Sequence, residues 1–197
     1  NLFSNAEISS NNETNCHSVE NLIDNNNETY WTPKDLGEPL VAQIKLNDTK
    51  NFNTLMLQEN ILEGQRIEKY KLEFYNGRDW KTFAEGTTVG YKRLFRFPEI
   101  ETDQIKLTIL LSRSTPQLST IGIYKAPPEI SFEPAECSFR DEIKVMLVSD
   151  TKNSKIYYTL DGTIPTEKSN LYTNELVLNR TTTVTALAVS DDVKSLV

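Results

Sequence analysis

The sequence predicts an all-β protein built from two β-sandwich domains, and three observations support this prediction. Short runs rich in β-branched and aromatic residues recur along the chain, with turn-forming residues between them. Apolar residues at helical spacing are hard to find. Two prolines, Pro127 and Pro128, follow the end of a candidate strand and mark a change in composition. We therefore expect one domain over residues 1–125 and a second over residues 126–197.

The first predicted domain contains a series of candidate strands with short connections. Tyr70, Leu72 and Phe74 alternate with charged residues, the period-two pattern of a sheet with one wet face. The pair Asn76-Gly77 predicts a hairpin into the next strand, because this pair favours a tight turn. The candidate strands span residues 40–46, 53–58, 68–76, 80–86, 92–97, 104–111 and 119–125.

The second predicted domain is shorter and equally rich in strands. Asp161-Gly162 and Pro165 predict a tight reversal between two of these strands. Five short strands in a segment of this length are typical of a small sandwich of the immunoglobulin or fibronectin kind. These strands are expected at residues 129–132, 142–149, 155–160, 174–179 and 181–190.

Composition narrows the possible partners and the setting. A net charge of −7 and a pI near 4.9 argue against a nucleic-acid partner, because phosphates would be repelled. No apolar run approaches the roughly 18 residues needed for membrane insertion. The chain starts without Met and without the layout of a signal peptide. We expect a piece of a longer protein whose export signal was removed or lies upstream.

The residues that most often carry catalysis are scarce. Cys16 and Cys137 lie in different predicted domains, which favours two buried free thiols over a disulfide between them. His17 is the single histidine, and its neighbour Cys16 would point to the opposite face of a strand. Zinc-ligand spacing and a glycine-rich phosphate loop are both missing from the sequence. We predict that this chain contains no catalytic residue.

Four segments of the first domain together resemble a known module. They are LIDNNNETYWTP (22–33), LQENILEGQRI (57–67), WKTFAEGTTVGYKRLFRFP (80–98) and STIGIY (119–124). This combination is similar to the discoidin-type (coagulation factor V/VIII type C) module, or family 32 carbohydrate-binding module, that follows the catalytic barrel of bacterial family 29 α-L-fucosidases. The resemblance covers residues 1–125 and implies a galactose-binding-like jelly-roll β-sandwich.

The second domain resembles another module found in glycoside hydrolases. The segments IYYTLDGTIPT (156–166) and TTTVTALAV (181–189), with Phe139 and Tyr172, are similar to the C-terminal domain of chitobiase and β-hexosaminidase. The resemblance implies an accessory domain without chemistry of its own.

Oxygen donors are crowded in residues 24–29, a composition that suits a hard cation. The family resemblance implies a structural calcium ion on this loop. The ligands carried over by position are the carbonyls of Asn21, Asn26 and Ser119, the carboxylate of Asp24, and the hydroxyl and carbonyl of Thr29. Thr120 stands where the family commonly has a glutamate, and the loss of that charge predicts weak calcium binding. Alternatively, the asparagines of the loop satisfy one another through Asx-turns and hold no cation.

A sugar site needs polar groups for vicinal hydroxyls and an aromatic ring for the apolar face of a pyranose. The candidate ligand-binding residues are Arg66, Gln65, Glu59, Asn60, His17, Tyr91 and Trp31, with Tyr30 as a further aromatic residue. Galactose-binding relatives use a histidine that falls here on Leu40 or Asp35, which leaves the choice of sugar open.

Two of these assignments have a structural alternative. Arg66 could pair with Glu59 or Glu63 and clasp the long loop to the sheet without any ligand. Trp31 and Trp80 could fill the core, where large aromatic residues are common.

The resemblance implies the non-catalytic C-terminal region of an extracellular or periplasmic α-L-fucosidase. Such a region would bind glycans with terminal galactose or fucose, pack on the upstream catalytic domain of the same chain, or do both. The alternative is a protein-binding adhesion module without sugar affinity. As a fragment, we expect a monomer.

Overall fold

A computed structural model describes residues 1–12, 14, 16–36, 39–135, 138–190 and 193–195 of the chain. Contacts within the chain divide it into two compact units, residues 1–125 and 126–197, and the division falls just before Pro127. Both units consist of antiparallel strands, as the sequence predicts, with two short 3₁₀ helices in the first, Val19–Leu22 and Ile61–Glu63. In the described ranges, none of the helices is long and apolar enough to cross a membrane.

The first unit is one sheet of six strands that encloses a core. The order is β1-β2-β5-β3-β4, and β6 pairs with β2. The strands are β1 (Glu7–Ser10), β2 (Leu40–Glu59), β3 (Ile67–Tyr75), β4 (Trp80–Gly86), β5 (Arg93–Ser112) and β6 (Leu118–Tyr124).

The two longest strands differ from the prediction. The sequence predicts separate strands at 40–46 and 53–58 and at 92–97 and 104–111, whereas each pair is continuous in β2 and β5. The register between β2 and β5 shifts between Lys45 and Lys50 and again between Phe52 and Thr54. Such irregularities bend a strand without ending it. Pro98 lies in β5 opposite the second shift, where its missing N–H interrupts no pairing.

The core of the first unit takes side chains from both halves of the long strands. Leu40 and Ile44 from the first half of β2 share one cluster with Leu55 and Leu57 from the second half. This sharing is expected when the long strands bend and the sheet closes over its own interior. Burial of each such side chain contributes roughly 1.5–3 kcal/mol.

The outer face of β3 is less exposed to solvent than the sequence predicts. Glu73 is buried, and its carboxylate lies 3.1 Å from the ammonium groups of both Lys71 and Lys106. The Lys106 ammonium also lies 4.2 Å from the centre of the Trp80 ring. Trp80 pairs with Tyr75 on this face and is only half-buried, so its expected place in the core is wrong. Lysine stems and an indole ring together cover the carboxylate.

The hairpin predicted at Asn76-Gly77 is confirmed. β3 and β4 are joined by residues 76–79, and the Asn76 side-chain oxygen accepts the N–H groups of Arg78 at 3.0 Å and Asp79 at 2.8 Å. Gly77 has φ +90°, a conformation that favours glycine. The local turn chemistry therefore fixes this connection.

The second unit contains two sheets of three and four strands, in the orders β11-β8-β7 and β10-β9-β12-β13. All five predicted strands are present, and two two-residue strands, β10 and β13, add to them. The strands are β7 (Ile130–Glu133), β8 (Ile143–Ser149), β9 (Lys155–Thr159), β10 (Asn170–Leu171), β11 (Leu176–Leu178), β12 (Thr185–Ser190) and β13 (Val193–Lys194). Val145, Ile156 and Ala188 lie in their common core.

The prediction of a buried thiol is wrong for Cys16. Cys16 lies in the loop before the first 3₁₀ helix, where it is exposed and makes no disulfide. Cys137 lies outside the described residues.

Candidate functional site

Backbone hydrogen bonds bring the predicted ligand-binding residues to one end of the first unit. The Glu59 N–H donates to the Gly90 carbonyl at 3.0 Å, which places Tyr91 beside the end of β2. Glu59 is paired with Leu118 on β6. Leu118 and Trp31 then exchange two hydrogen bonds of 2.7 and 3.0 Å. The loops that carry Trp31 and Tyr91 therefore flank the same strand ends.

Glu59 is the structural centre of this end. Its side chain is only 1% exposed, and its Oε1 atom accepts the N–H groups of Arg66 at 2.7 Å and Ile67 at 3.0 Å. Burial raises the pKa of the Glu59 carboxyl, although hydrogen bonds from the backbone of Arg66, Ile67 and Gly90 work in the opposite direction. The carboxylate ties the start of β3 to the end of β2.

Arg66 forms the clasp that the sequence offers as one of two possibilities. Its Nη1 donates to the Thr115 carbonyl at 2.8 Å, and its Nη2 pairs with the Glu63 carboxylate. Glu59 binds the backbone of Arg66 and not its guanidinium. The Arg66 side chain is 14% exposed. Most of its hydrogen-bonding surface is thus already engaged inside the protein.

The segment 60–66, named here the 60–66 lobe, is held at its base. Asn60 donates its backbone N–H to the Gln117 carbonyl at 2.8 Å and its amide to the Gln117 side chain at 3.3 Å. Gln65 donates to the Ile67 carbonyl at 3.5 Å. Both side chains remain partly open to solvent. Leu62, at the tip of the lobe, is 92% exposed.

The two predicted aromatic contacts differ in solvent exposure. Tyr91 is 63% exposed beside the strand ends, so its ring is accessible to a ligand. Trp31 is 0% exposed and is among the largest side chains of the core. Its assignment as a ligand-binding residue is therefore wrong, because a fully buried ring offers no face to a sugar. The alternative interpretation of Trp31 as a core residue is confirmed.

His17 and Tyr30 form an aromatic pair at the same end. Their ring centres are 4.1 Å apart and their planes differ by 17°, so the rings are stacked. The Thr32 N–H donates to the His17 carbonyl at 3.2 Å, which holds the two loops together. Both rings are half-buried. The sequence names both residues as candidates, but no spacing rule predicts that they stack.

Part of the predicted cation loop converges on one point. The Thr29 hydroxyl donates to Asp24 Oδ2 at 2.6 Å and lies 2.9 Å from the Asn26 carbonyl. The Asn26 N–H donates to Asp24 Oδ1 at 2.8 Å, which is an Asx-turn. Three of the predicted ligands are thus together, and they also make the self-capping contacts that the alternative interpretation requires.

The side chains of the remaining predicted ligands make hydrogen bonds of their own. The Thr120 hydroxyl donates to the Asn27 side chain at 3.2 Å and so connects β6 to the loop. The buried Ser119 hydroxyl donates to the Gln58 carbonyl at 3.3 Å, and the Asn21 amide donates to the Tyr30 carbonyl at 2.9 Å. Among the described residues, no three His, Cys, Asp or Glu side chains form a metal-binding group. The donor set fits a hard cation bound mainly by neutral oxygens.

Comparison with known families gives two matches along the chain. A family model of the F5/8 type C domain matches residues 5–121. A model of the chitobiase/beta-hexosaminidase C-terminal domain matches residues 134–196. The two matches fall in the first and second units respectively.

A curated relative connects the first unit to fucosidases. The putative alpha-L-fucosidase 1 of Oryza sativa subsp. japonica is 36% identical over 104 residues, which make up 53% of this chain and 20% of the relative. The chain therefore spans about a fifth of that relative's length and matches only its C-terminal part.

Solved structures agree with this connection. A GH29 fucosidase of Ruminococcus gnavus in complex with fucose is 35% identical with a TM-score of 0.57, over 61% of this chain and 25% of that one. The family 32 carbohydrate-binding module of Clostridium perfringens NanJ, in complex with galactose, has a TM-score of 0.56 over 61% of this chain and 93% of its own. At 19% identity, the second likeness establishes the fold alone.

Proposed function

The chain belongs to the F5/8 type C domain family, and from this membership we propose that it is a non-catalytic accessory region of an α-L-fucosidase that binds glycans. The fucosidase relatives and the likeness to carbohydrate-binding modules both fit an accessory role in sugar binding. The chain corresponds to only the C-terminal part of those relatives, which supports a role beside a catalytic domain. We also propose that the protein is located outside the cytoplasm, because extended glycans are found there.

The exposed Tyr91 ring beside the 60–66 lobe is the observation that carries this proposal. A pyranose ring can pack its apolar face on an exposed aromatic side chain. The partly exposed amides of Asn60 and Gln65 lie at the same end of the unit and can hydrogen-bond sugar hydroxyls. Glu59 and Arg66 hold these groups in place from below and contribute rigidity, which lowers the entropic cost of binding.

Calorimetric titration of the 197-residue chain tests the proposal. We expect measurable binding of galactose, fucose or a fucosylated lactose, because terminal galactose and fucose are the proposed ligands. Absence of binding to all three sugars would contradict the proposal and would favour a module that binds protein without sugar affinity.

A second candidate role is packing on a catalytic domain of the same polypeptide. Leu62 is almost fully exposed at the tip of the 60–66 lobe, and Ile61 beside it is also exposed. The Arg66–Glu63 pair and Asn60 hold this apolar tip in a fixed shape. A fixed apolar projection on an otherwise polar loop suits a contact with another domain.

Leu62→Ser should lower the melting temperature of the complete fucosidase and leave that of the 197-residue chain unchanged, because the apolar contact exists only when the other domain is present.

We further propose that the loop of residues 21–29 holds a calcium ion. Asp24, Asn26 and Thr29 would supply a carboxylate, a carbonyl and a hydroxyl, and the convergence of these oxygens supports the assignment. The bound ion would supply a link between this loop and β6, to which Thr120 already connects it. The loop leads directly into Tyr30 and Trp31, so its order bears on the ligand-binding end.

A further inference from the structure

We propose that a cleft in the second unit binds the acidic group of a sugar residue through Arg140 and Arg180. The cleft has a volume of about 420 Å³. It lies between the segment that precedes β8 and the loop that joins β11 to β12, and Phe139, Asn179 and Thr182 line it together with the two arginines.

The charges in this cleft are unbalanced. Arg140 and Arg180 are the two arginines of residues 126–197, and both face the same cleft. Within the described part of the chain, neither guanidinium forms an ion pair, although Asp141 and Glu142 follow Arg140 directly. Two guanidinium groups at one cleft, without an acidic side chain among its described lining residues, give this surface a local positive charge in a protein of net charge −7.

Two of the five lysines of the second unit are arranged differently. The Lys144 ammonium lies 2.9 Å from the Glu175 carboxylate, and the Lys194 ammonium lies 2.7 Å from that of Glu167. These surface lysines are neutralised by an acidic neighbour, whereas the two cleft arginines are left for an external anion. A guanidinium can bind a carboxylate or a sulfate through two parallel hydrogen bonds.

The remaining lining of the cleft suits a sugar. Phe139 is half-buried and supplies an aromatic ring, while the Asn179 amide and the Thr182 hydroxyl can bond to hydroxyl groups. Thr182 is oriented by its own hydrogen bond to the Arg180 carbonyl at 2.9 Å. The volume falls within the range of about 300–1,000 Å³ typical of small-molecule sites. An acidic monosaccharide, either a sialic or uronic acid or a sulfated hexose, matches this combination.

This site is independent of the proposal for the first unit. Every lining residue lies between positions 138 and 182, whereas Tyr91 and the 60–66 lobe lie in residues 1–125. If neutral sugars fail to bind the first unit, the proposal for the arginine cleft still stands. If acidic sugars fail to bind the cleft, the proposal for the first unit still stands.

Titration of the 197-residue chain, monitored through the NMR resonances of the arginine Nε–H groups, tests this inference. The probes are N-acetylneuraminic acid, galactose 6-sulfate, galactose and sodium sulfate. We expect both acidic sugars, or one of them, to shift the Arg140 and Arg180 resonances. The affinity obtained from these shifts should be at least about tenfold higher than that for galactose or sulfate, because charge-assisted hydrogen bonds are added to sugar contacts. The tighter of the two acids then identifies the anionic group. Binding should weaken as salt is added.

Substitutions test whether the two cleft arginines are responsible for the affinity for acidic sugars. Arg140→Gln and Arg180→Gln should each weaken binding about tenfold, while Arg140→Lys and Arg180→Lys should recover part of it by restoring the charge. Arg78→Gln, at an exposed arginine in the first unit, should leave affinity unchanged. Three outcomes would each overturn the inference: galactose and the acidic sugars shifting the Arg140 and Arg180 resonances with equal affinity, free sulfate doing the same, or unchanged affinity for the tighter acidic sugar in the double Arg→Gln variant.

Discussion

At the scale of single residues, two buried carboxylates have opposite electrostatic environments. Burial raises the pKa of Glu59, because the backbone N–H groups that its carboxylate accepts only partly offset the loss of solvation. Burial also disfavours ionisation of Glu73, but hydrogen bonds and charges from Lys106 and Lys71 outweigh it and lower its pKa. Glu59 therefore holds a loop at an electrostatic cost, whereas ionised Glu73 stabilises the outer face of the sheet.

Removal of the Glu59 side chain should destabilise the first unit. Glu59→Ala leaves the N–H groups of Arg66 and Ile67 without their acceptor in a buried place, and we expect a loss of about 1–3 kcal/mol in the free energy of unfolding. Urea denaturation measures it. Glu63→Ala removes the exposed partner of Arg66 and should cost less than about 1 kcal/mol. Equal losses in the two variants would contradict the role assigned to Glu59.

Glu73 should make stability depend on pH in the acid range. Because its folded-state pKa lies below the ordinary 4.5, the unfolded chain takes up its proton first. The stability from ionised Glu73 is complete above pH 4.5 and is lost as the pH falls through the lowered value. Glu73→Gln should therefore cost roughly 1–3 kcal/mol near neutral pH and progressively less on acidification. A cost independent of pH in urea titrations would contradict this account.

At the scale of strands and loops, local chemistry could be predicted from the sequence and long-range pairing could not. The Asn76-Gly77 hairpin depends on a turn that its own residues stabilise, and it is present as predicted. The continuity of β2 depends on pairing with β5 across a polar stretch that resembles a loop in sequence. The cluster of polar residues around Arg66 was likewise predictable, but not that Glu59 would bind backbone N–H groups while Glu63 took the guanidinium.

The loop of residues 21–29 should respond to calcium. We expect a melting temperature several degrees higher in millimolar calcium than in EDTA, because a ligand that binds only the folded state stabilises it. Asp24→Asn should abolish the difference by removal of the carboxylate. Glu28→Gln is the matched control, since Glu28 is exposed in the same loop and is outside the predicted ligand set. Identical melting curves in calcium and EDTA would contradict the proposed calcium ion.

At the scale of the whole molecule, the chain combines two all-β units with different surfaces. The first unit carries an exposed aromatic ring and neutral amides at one end, which suit a neutral sugar. The second carries a cleft with two arginines that form no ion pair among the residues the structure describes, which suits an acidic one. Fold class and both domain resemblances could be predicted because strand periodicity and short motifs are local in sequence. The stacking of His17 on Tyr30 could not, since it depends on how the loops pack. The burial of Trp31 could be predicted only as one of two alternatives, because large aromatic residues occur both in cores and in sugar sites.

Titration of two exposed-residue variants against the neutral sugar bound best by the wild-type chain tests the central claim most directly. Tyr91→Ala removes the ring proposed to contact the sugar, and Leu94→Ala removes a side chain of nearly equal exposure, 61% against 63%, on the adjacent strand β5. We predict that Tyr91→Ala weakens binding at least about tenfold, the loss expected for an aromatic contact, while Leu94→Ala binds like the wild type. Undiminished affinity in Tyr91→Ala, or an equal loss in both variants, would contradict the proposed glycan-binding end.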